Sequence, residues 1–279
     1  MALVSGIEIV QECVSRKLVA GAFNTTNLET TMGIVEAIER VGVPTFVQVA
    51  PTNLVLSGYE YIYDMVSRRL ASTDVPVALH LDHGKSLSAV QAALAARFTS
   101  VMIDYSEHAY EKNIAVSSQA RALCGDRVAL EAELGSIGGK EDEMGPEQAS
   151  TTDPDQVTQF VETVGCDMLA VSVGNAHGYV QDARIDFTLL GRLRAQTDAP
   201  LVIHGGSGLP RDQLGRLAQF GVVKVNIASD LRNAMIRSFG EAYAANPREN
   251  SLIKVSQQAV RAIADVVEHR IRVLNPAVG

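Results

Sequence analysis

The sequence predicts an α/β fold, a single (β/α)₈ TIM barrel with an extra C-terminal helix, and three observations carry that expectation. Eight short runs rich in Val, Ile, Leu and Ala, at residues 18–23, 44–49, 76–81, 100–104, 127–133, 168–173, 200–203 and 222–227, alternate with helix-period segments. The chain has 279 residues, 47% hydrophobic and 20% charged, which suits one such barrel (1–279) better than two small domains. Three histidines, His83, His177 and His204, stand at or just past the ends of apolar runs, in LHLDHG, MLAVSVGNAHG and PLVIHGGSG.

The intervening segments read as surface helices. Residues 27–41 place Met32, Ile34, Val35 and Ile38 on one side and charges elsewhere, as a helix packed on a sheet requires. Residues 86–96, 153–164, 210–220 and 252–274 follow the same pattern, and Ser86, Asp153 and Ser229 stand where N-caps belong. Residues 135–155 are polar and Gly-rich, and they exceed the roughly 2–6 residues of an ordinary strand-to-helix turn, so they read as a functional loop. No internal repeat or low-complexity segment interrupts the order.

Composition narrows the function. A formal charge of −8 argues against nucleic-acid partners. No apolar run approaches the roughly 18 residues of a membrane span, and no signal-peptide pattern opens the chain, so a soluble cytoplasmic protein with no membrane partner is expected. Cys13, Cys124 and Cys166 are scattered, without metal-site or disulfide spacing, and are expected as buried thiols.

The carboxyl ends of barrel strands converge on one face, where side chains from several strands can meet around one ion. His83, His177 and His204, from the third, sixth and seventh runs, are therefore candidate ligands of a catalytic Zn²⁺, for which three protein ligands and an open position are typical. Asp104 and Glu133 end the fourth and fifth runs and are candidates for a second or alternative metal position. By strand alternation His80 pairs with Asp82, and Glu131 with Glu133. Glu131 lies one layer deeper, where it can neutralise Lys224. His80 reads as a supporting group in the barrel interior and His108 as a surface residue.

Gly205, Gly206, Ser207 and Gly208 follow the seventh run directly, and Asn226, Ile227, Ala228 and Ser229 end the eighth. Loops after strands seven and eight, together with a helix N-terminus, commonly hold phosphate through backbone N–H groups. A small phosphorylated substrate beside a metal is the expectation.

AFNTTNLET, VALHLDHG, MIDYSEH, LEAELGSIGGKED, VSVGNAHG, LVIHGGSG and VKVNIAS together resemble the class II, metal-dependent ketose-bisphosphate aldolases, over nearly the whole chain. The resemblance implies zinc at His83, His177 and His204, Asp104 and Glu133 near an alternative metal position, and a monovalent cation as a further candidate cofactor. It implies Asp82 as the acid/base for the hydroxyl that becomes the aldehyde oxygen. Glu141, in the GGKED loop, would exchange the proton on the dihydroxyacetone phosphate half, whose phosphate would rest on Gly178, Gly205, Gly206, Ser207, Asn226, Ile227, Ala228 and Ser229. The implied product pair is dihydroxyacetone phosphate and an aldehyde, and the implied assembly a homodimer or homotetramer.

The chain departs from that pattern in three places. Ala50 stands where many members have a serine, ENSLIKVSQQAV lacks the DPR-aromatic signature, and Lys140 occupies a position commonly acidic or aliphatic. Three other readings stand beside the resemblance: a Schiff-base aldolase using Lys224, a metal-dependent hydrolase on the same barrel, and a non-catalytic aldolase-like partner subunit.

Overall fold

Strands buried on both faces read as continuous apolar runs, and the eight runs of this chain close on one another as such strands. The computed structural model describes residues 3–140 and 149–278. Its barrel comprises β1 (Ala20–Asn24), β2 (Thr45–Val49), β3 (Val77–Gly84), β4 (Ser100–Ile103), β5 (Ala129–Leu134), β6 (Met168–Val171), β7 (Leu201–Ile203) and β8 (Val222–Ile227). Each strand pairs in parallel with the next, and β1 pairs with β8 to close the ring. Every residue of the eight strands is buried.

The surrounding helices are α1 (Gly6–Arg16), α2 (Leu28–Val41), α3 (Pro51–Ser57), α4 (Tyr59–Arg69), α5 (Leu87–Ala95), α6 (Tyr110–Cys124), α7 (Pro154–Val164), α8 (Phe187–Gln196), α9 (Arg211–Leu214), α10 (Ser229–Ala245) and α11 (Leu252–Leu274). Asn27, Ser86 and Asp153 cap α2, α5 and α7, each accepting from a first-turn backbone N–H. The extra C-terminal helix α11 lies against α2, where a Cβ on Gly33 would stand 2.7 Å from Ile263. Among the described residues no helix is long and apolar enough to cross a membrane.

Three expectations change. Residues 210–220 do not form one helix: α9 is four residues long and a 3₁₀ turn, Leu217–Phe220, follows it. Gly215 lies at the break, against the Val273 carbonyl of α11, and glycine disfavours helix continuation. Ser229 is the first residue of α10 rather than its cap, which is Ala228, a residue whose side chain offers no acceptor to the first turn. Asp104 lies just past β4 rather than within it, its amide bonded to the Gly84 carbonyl at 3.0 Å. Residues 141–148, which include Glu141, lie outside the described residues.

Asn275 ties the end of the chain to the start of the barrel. Its Oδ1 accepts from Val19 N–H at 2.9 Å, while its Nδ2 donates to the Val19 carbonyl at 2.9 Å and the Ile271 carbonyl at 3.0 Å. Asn275→Ala strands both buried groups of Val19 and is expected to lower unfolding free energy by about 1–3 kcal/mol in urea denaturation. A midpoint unchanged from wild type would show that water replaces the amide.

Candidate active site

Side chains on consecutive strand residues normally point to opposite faces, yet Asp82 and His83 serve one site. His83 has φ +47°, and the pairing of β3 with β4 shifts register between Leu81 and Gly84. That irregularity turns the imidazole back toward Asp82, leaving His83 Nε2 3.9 Å from Asp82 Oδ1. Gly84 then passes so close to β4 that a Cβ would meet the Met102 carbonyl at 2.5 Å.

Three buried imidazoles converge at this point. His83 Nε2 lies 3.1 Å from His177 Nε2 and 2.9 Å from His204 Nδ1. The far nitrogens of two rings are held by carboxylates: His83 Nδ1 donates to Asp104 Oδ2 at 2.8 Å, and His204 Nε2 to Glu131 Oε1 at 2.8 Å. A proton fixed on the far nitrogen leaves the near one as a lone-pair donor, the usual second-layer arrangement around metal-binding histidines. Tetrahedral zinc with Zn–N near 2.05 Å separates its nitrogens by about 3.3 Å, close to what this cluster offers.

His177 reaches the cluster through a short parallel pairing. Gly138–Gly139 pairs with Ala176–His177, and Gly139, at φ +83°, leaves no room for a Cβ, which would meet the His177 carbonyl at 2.3 Å. Asn175 braces the same segment, accepting from Val173 N–H at 2.8 Å and donating to the His204 carbonyl at 3.1 Å.

A second donor group shares His83. His83, Asp104 and Glu133 bring ligand atoms within 4.8 Å of one another, as do His83, His177 and His204. Ser106 Oγ bridges the two carboxylates, at 2.8 Å from Asp104 and 2.9 Å from Glu133, and Lys85 Nζ lies 2.7 Å from Asp104. Glu133 Oε2 is buried with no hydrogen-bond partner among the described residues, an acceptor suited to a cation.

Asp82 lies at the centre of a donor set. It accepts from Asn226 Nδ2 at 2.9 Å, Gln48 Nε2 at 3.0 Å and Asn24 Nδ2 at 3.3 Å. Burial disfavours its charge, but His83, His204 and Lys224 outweigh burial and keep the carboxyl below its usual range. Burial likewise opposes a proton on His83, yet Asp82 and Asp104 raise it to about 10. His177 is pushed down to about 3 by burial and by the His83 charge, and His204 is depressed for the same two reasons. Glu133, buried beside Asp104, rises to about 8. One proton beyond the neutral state, held by His83, accounts for this division.

Beneath lies the expected pair, Lys224 Nζ 2.9 Å from Glu131 Oε2, with Lys224 also donating to Asn226 Oδ1 at 2.6 Å. His80 is buried in the barrel, bonded to Ser100 at 2.7 Å, and His108 is exposed. On the other side, Gly205 follows β7 in the left-handed region at φ +72°, where a Cβ would overlap the Ala176 carbonyl. Gly206 packs against Asn226 and Ile227 of β8, Gly208 against the Gly178 carbonyl, and Ser207 Oγ accepts from Asp230 N–H of α10 at 3.3 Å. Asn24, Gln48, Lys85 and Ser106 are the polar partners that the sequence reading did not single out. Asn24 and Gln48 carried the same signal as His80, a polar residue within an apolar strand.

The family sequence model of fructose-bisphosphate aldolase class-II matches residues 4–277. A fructose-bisphosphate aldolase of Geobacillus stearothermophilus is 35% identical over 270 residues, covering 94% of each chain. The YdjI aldolase of Escherichia coli K12 superposes with a TM-score of 0.85 at 26% identity, covering 98% of this chain and 97% of that one. A fructose-bisphosphate aldolase from Campylobacter jejuni shares the fold, with a TM-score of 0.82 at 21% identity and coverage of 98% and 96%. By the match over nearly its whole length and the identity of its relative, the chain belongs to the class-II fructose-bisphosphate aldolase family.

Proposed function

We propose that this aldolase catalyses the metal-dependent, reversible cleavage of a ketose (bis)phosphate to dihydroxyacetone phosphate and an aldehyde. The observation that carries the reading is the convergence of His83 Nε2, His177 Nε2 and His204 Nδ1 beside the buried carboxylate of Asp82. The three nitrogens suit Zn²⁺, with Asp104 and Glu133 around the other edge of His83 as the alternative position. Zn²⁺ at the histidines would supply a Lewis acid for the negative charge that develops on the ketone oxygen as the carbon–carbon bond breaks.

The chain's own residues divide the remaining work. Asp82, ionised and fixed by three amide donors, takes the proton of the substrate hydroxyl on cleavage and returns it on condensation. Glu141, two residues along the sequence from Gly139, which pairs with His177, exchanges the proton on the dihydroxyacetone phosphate carbon. Gly178, Gly205, Gly206, Ser207, Asn226, Ile227, Ala228 and Ser229 receive the phosphate, a role supported by the N-terminus of α10, where the cap residue Ala228 has no side-chain acceptor. Lys224 is already committed to Glu131 and Asn226, which argues against a Schiff base there. Exposed Ile236 and Tyr243 on α10 and Leu252 and Ile253 on α11 suit a homodimer or homotetramer.

Two predictions follow from the charges at the site. Because His83 holds a proton up to about pH 10 and a metal needs its lone pair, binding must displace that proton. Zn²⁺ titrated between pH 6.5 and 8 should therefore release about one proton, and its apparent affinity should rise about tenfold per pH unit. Calorimetry in buffers of different ionisation enthalpy reads this directly; metal uptake with no proton released would contradict the assignment. Asp82→Ala should lower cleavage by at least about 10²-fold while zinc content, read by mass spectrometry, stays at the wild-type level. Cleavage within a few-fold of wild type would remove Asp82 from the proton path.

A further inference from the structure

Arg270, near the end of α11, reaches the phosphate cradle from behind. Its Nε donates to Asp230 Oδ2 at 2.6 Å, and its Nη2 donates to the Ser207 carbonyl at 3.0 Å. The other Asp230 oxygen, Oδ1, accepts from the Tyr179 hydroxyl at 2.6 Å, and the Asp230 N–H donates to Ser207 Oγ. Arg270 and Asp230 side chains are only 14% and 10% exposed, so solvent screens the pair poorly. The guanidinium thereby joins residues 205–208 beyond β7 to the start of α10, and Asp230 extends the link to Tyr179 beyond His177, so that the three segments expected to surround the phosphate are tied together.

The charge balance gives this arrangement a purpose. Asp230 places a carboxylate in the first turn of α10, beside backbone N–H groups suited to an anion, where an uncompensated negative charge would repel a phosphate. The forked guanidinium can cancel that charge while its second arm fixes the Ser207 carbonyl, a geometry a point charge cannot reproduce.

We propose that Arg270 is a positioning residue for phosphate recognition: it neutralises Asp230 and locks the Ser207 turn to α10, so that the cradle presents N–H groups to a phosphomonoester. This rests on the proposed aldolase reaction, whose phosphate these segments would hold. Residues within the cradle remain the ones in contact with substrate; Arg270 acts through Ser207 and Asp230.

The test compares the zinc-loaded wild type with Arg270→Met, Arg270→Lys and the double variant Asp230→Asn/Arg270→Met. Calorimetry with dihydroxyacetone phosphate and with inorganic phosphate is paired with steady-state cleavage and zinc analysis. Arg270→Met should weaken dihydroxyacetone phosphate at least about tenfold and raise KM more than it lowers kcat, with zinc content unchanged. Arg270→Lys should recover part of the loss, and so should the double variant, because it removes the uncompensated carboxylate. A purely structural role would lower the melting temperature without this split and without recovery in the double variant. If Arg270→Met does not fold, the same comparison is made with Arg270→Lys, which should lose between about threefold and tenfold. Wild type that binds while the variants bind within twofold of it would overturn the inference alone. Wild type that binds neither probe would overturn the aldolase reading and this inference together.

Discussion

The site depends on a carboxylate that could not survive alone where it stands. Glu131 is fully buried in the barrel interior, where an isolated charge is strongly unfavourable. Lys224 forms an ion pair with Oε2 at 2.9 Å, and the His204 imidazole hydrogen-bonds Oε1 at 2.8 Å. Lys224 in turn holds the Asn226 carbonyl oxygen, which directs the Asn226 amide at Asp82 and His204. The chain of contacts therefore fixes, in one rigid unit, the tautomer of one candidate ligand and the orientation of the candidate base. Removing either end leaves a buried charge uncompensated, so the network is under structural as well as chemical constraint.

Above that layer, conformation rather than charge does the positioning. The bulge at the end of β3 brings Asp82 and His83 to the same side, and the Gly138–Gly139 pairing fixes the segment that carries His177. Both devices are local departures from regular strand geometry at the carboxyl face of the barrel. Positive φ at a non-glycine residue such as His83 persists only where surrounding contacts enforce it, and the bonds to Asp104, His177 and His204 do so here.

This division explains what was legible in the sequence. The barrel was readable because strands buried on both faces must be apolar runs, and all eight runs became strands with ends displaced by only a few residues. The Glu131–Lys224 pair was readable because parity places both inside and neither can stand there alone. The break in residues 210–220 was harder to read, since a single glycine is tolerated in many helices and the approach of Gly215 to α11 is a tertiary contact. Gln48 and Asn24 escaped notice because an amide in a strand is ambiguous until the carboxylate it serves is known. Arg270 lies 63 residues from Ser207 along the chain, and helix periodicity marks it only as a polar position on α11.

The two halves of the site solve opposite electrostatic problems. Around Asp82, the basic groups His83, His204 and Lys224 keep a buried carboxylate ionised, and three side-chain amides fix its orientation. Around Ser207, a second carboxylate, Asp230, must be cancelled so that an anion can approach. The chain answers the first with basic groups and amides carried by the barrel and the second with a guanidinium from its last helix. That helix is thus more than a cover for α2: its far end reaches the rim where substrate charge would be received, and Asn275, one residue beyond it, anchors it to β1. Movement of α11 relative to the barrel would be felt first at the phosphate end, through Arg270, whereas the carboxylates that hold His83 and His204 come from beyond β4 and from β5.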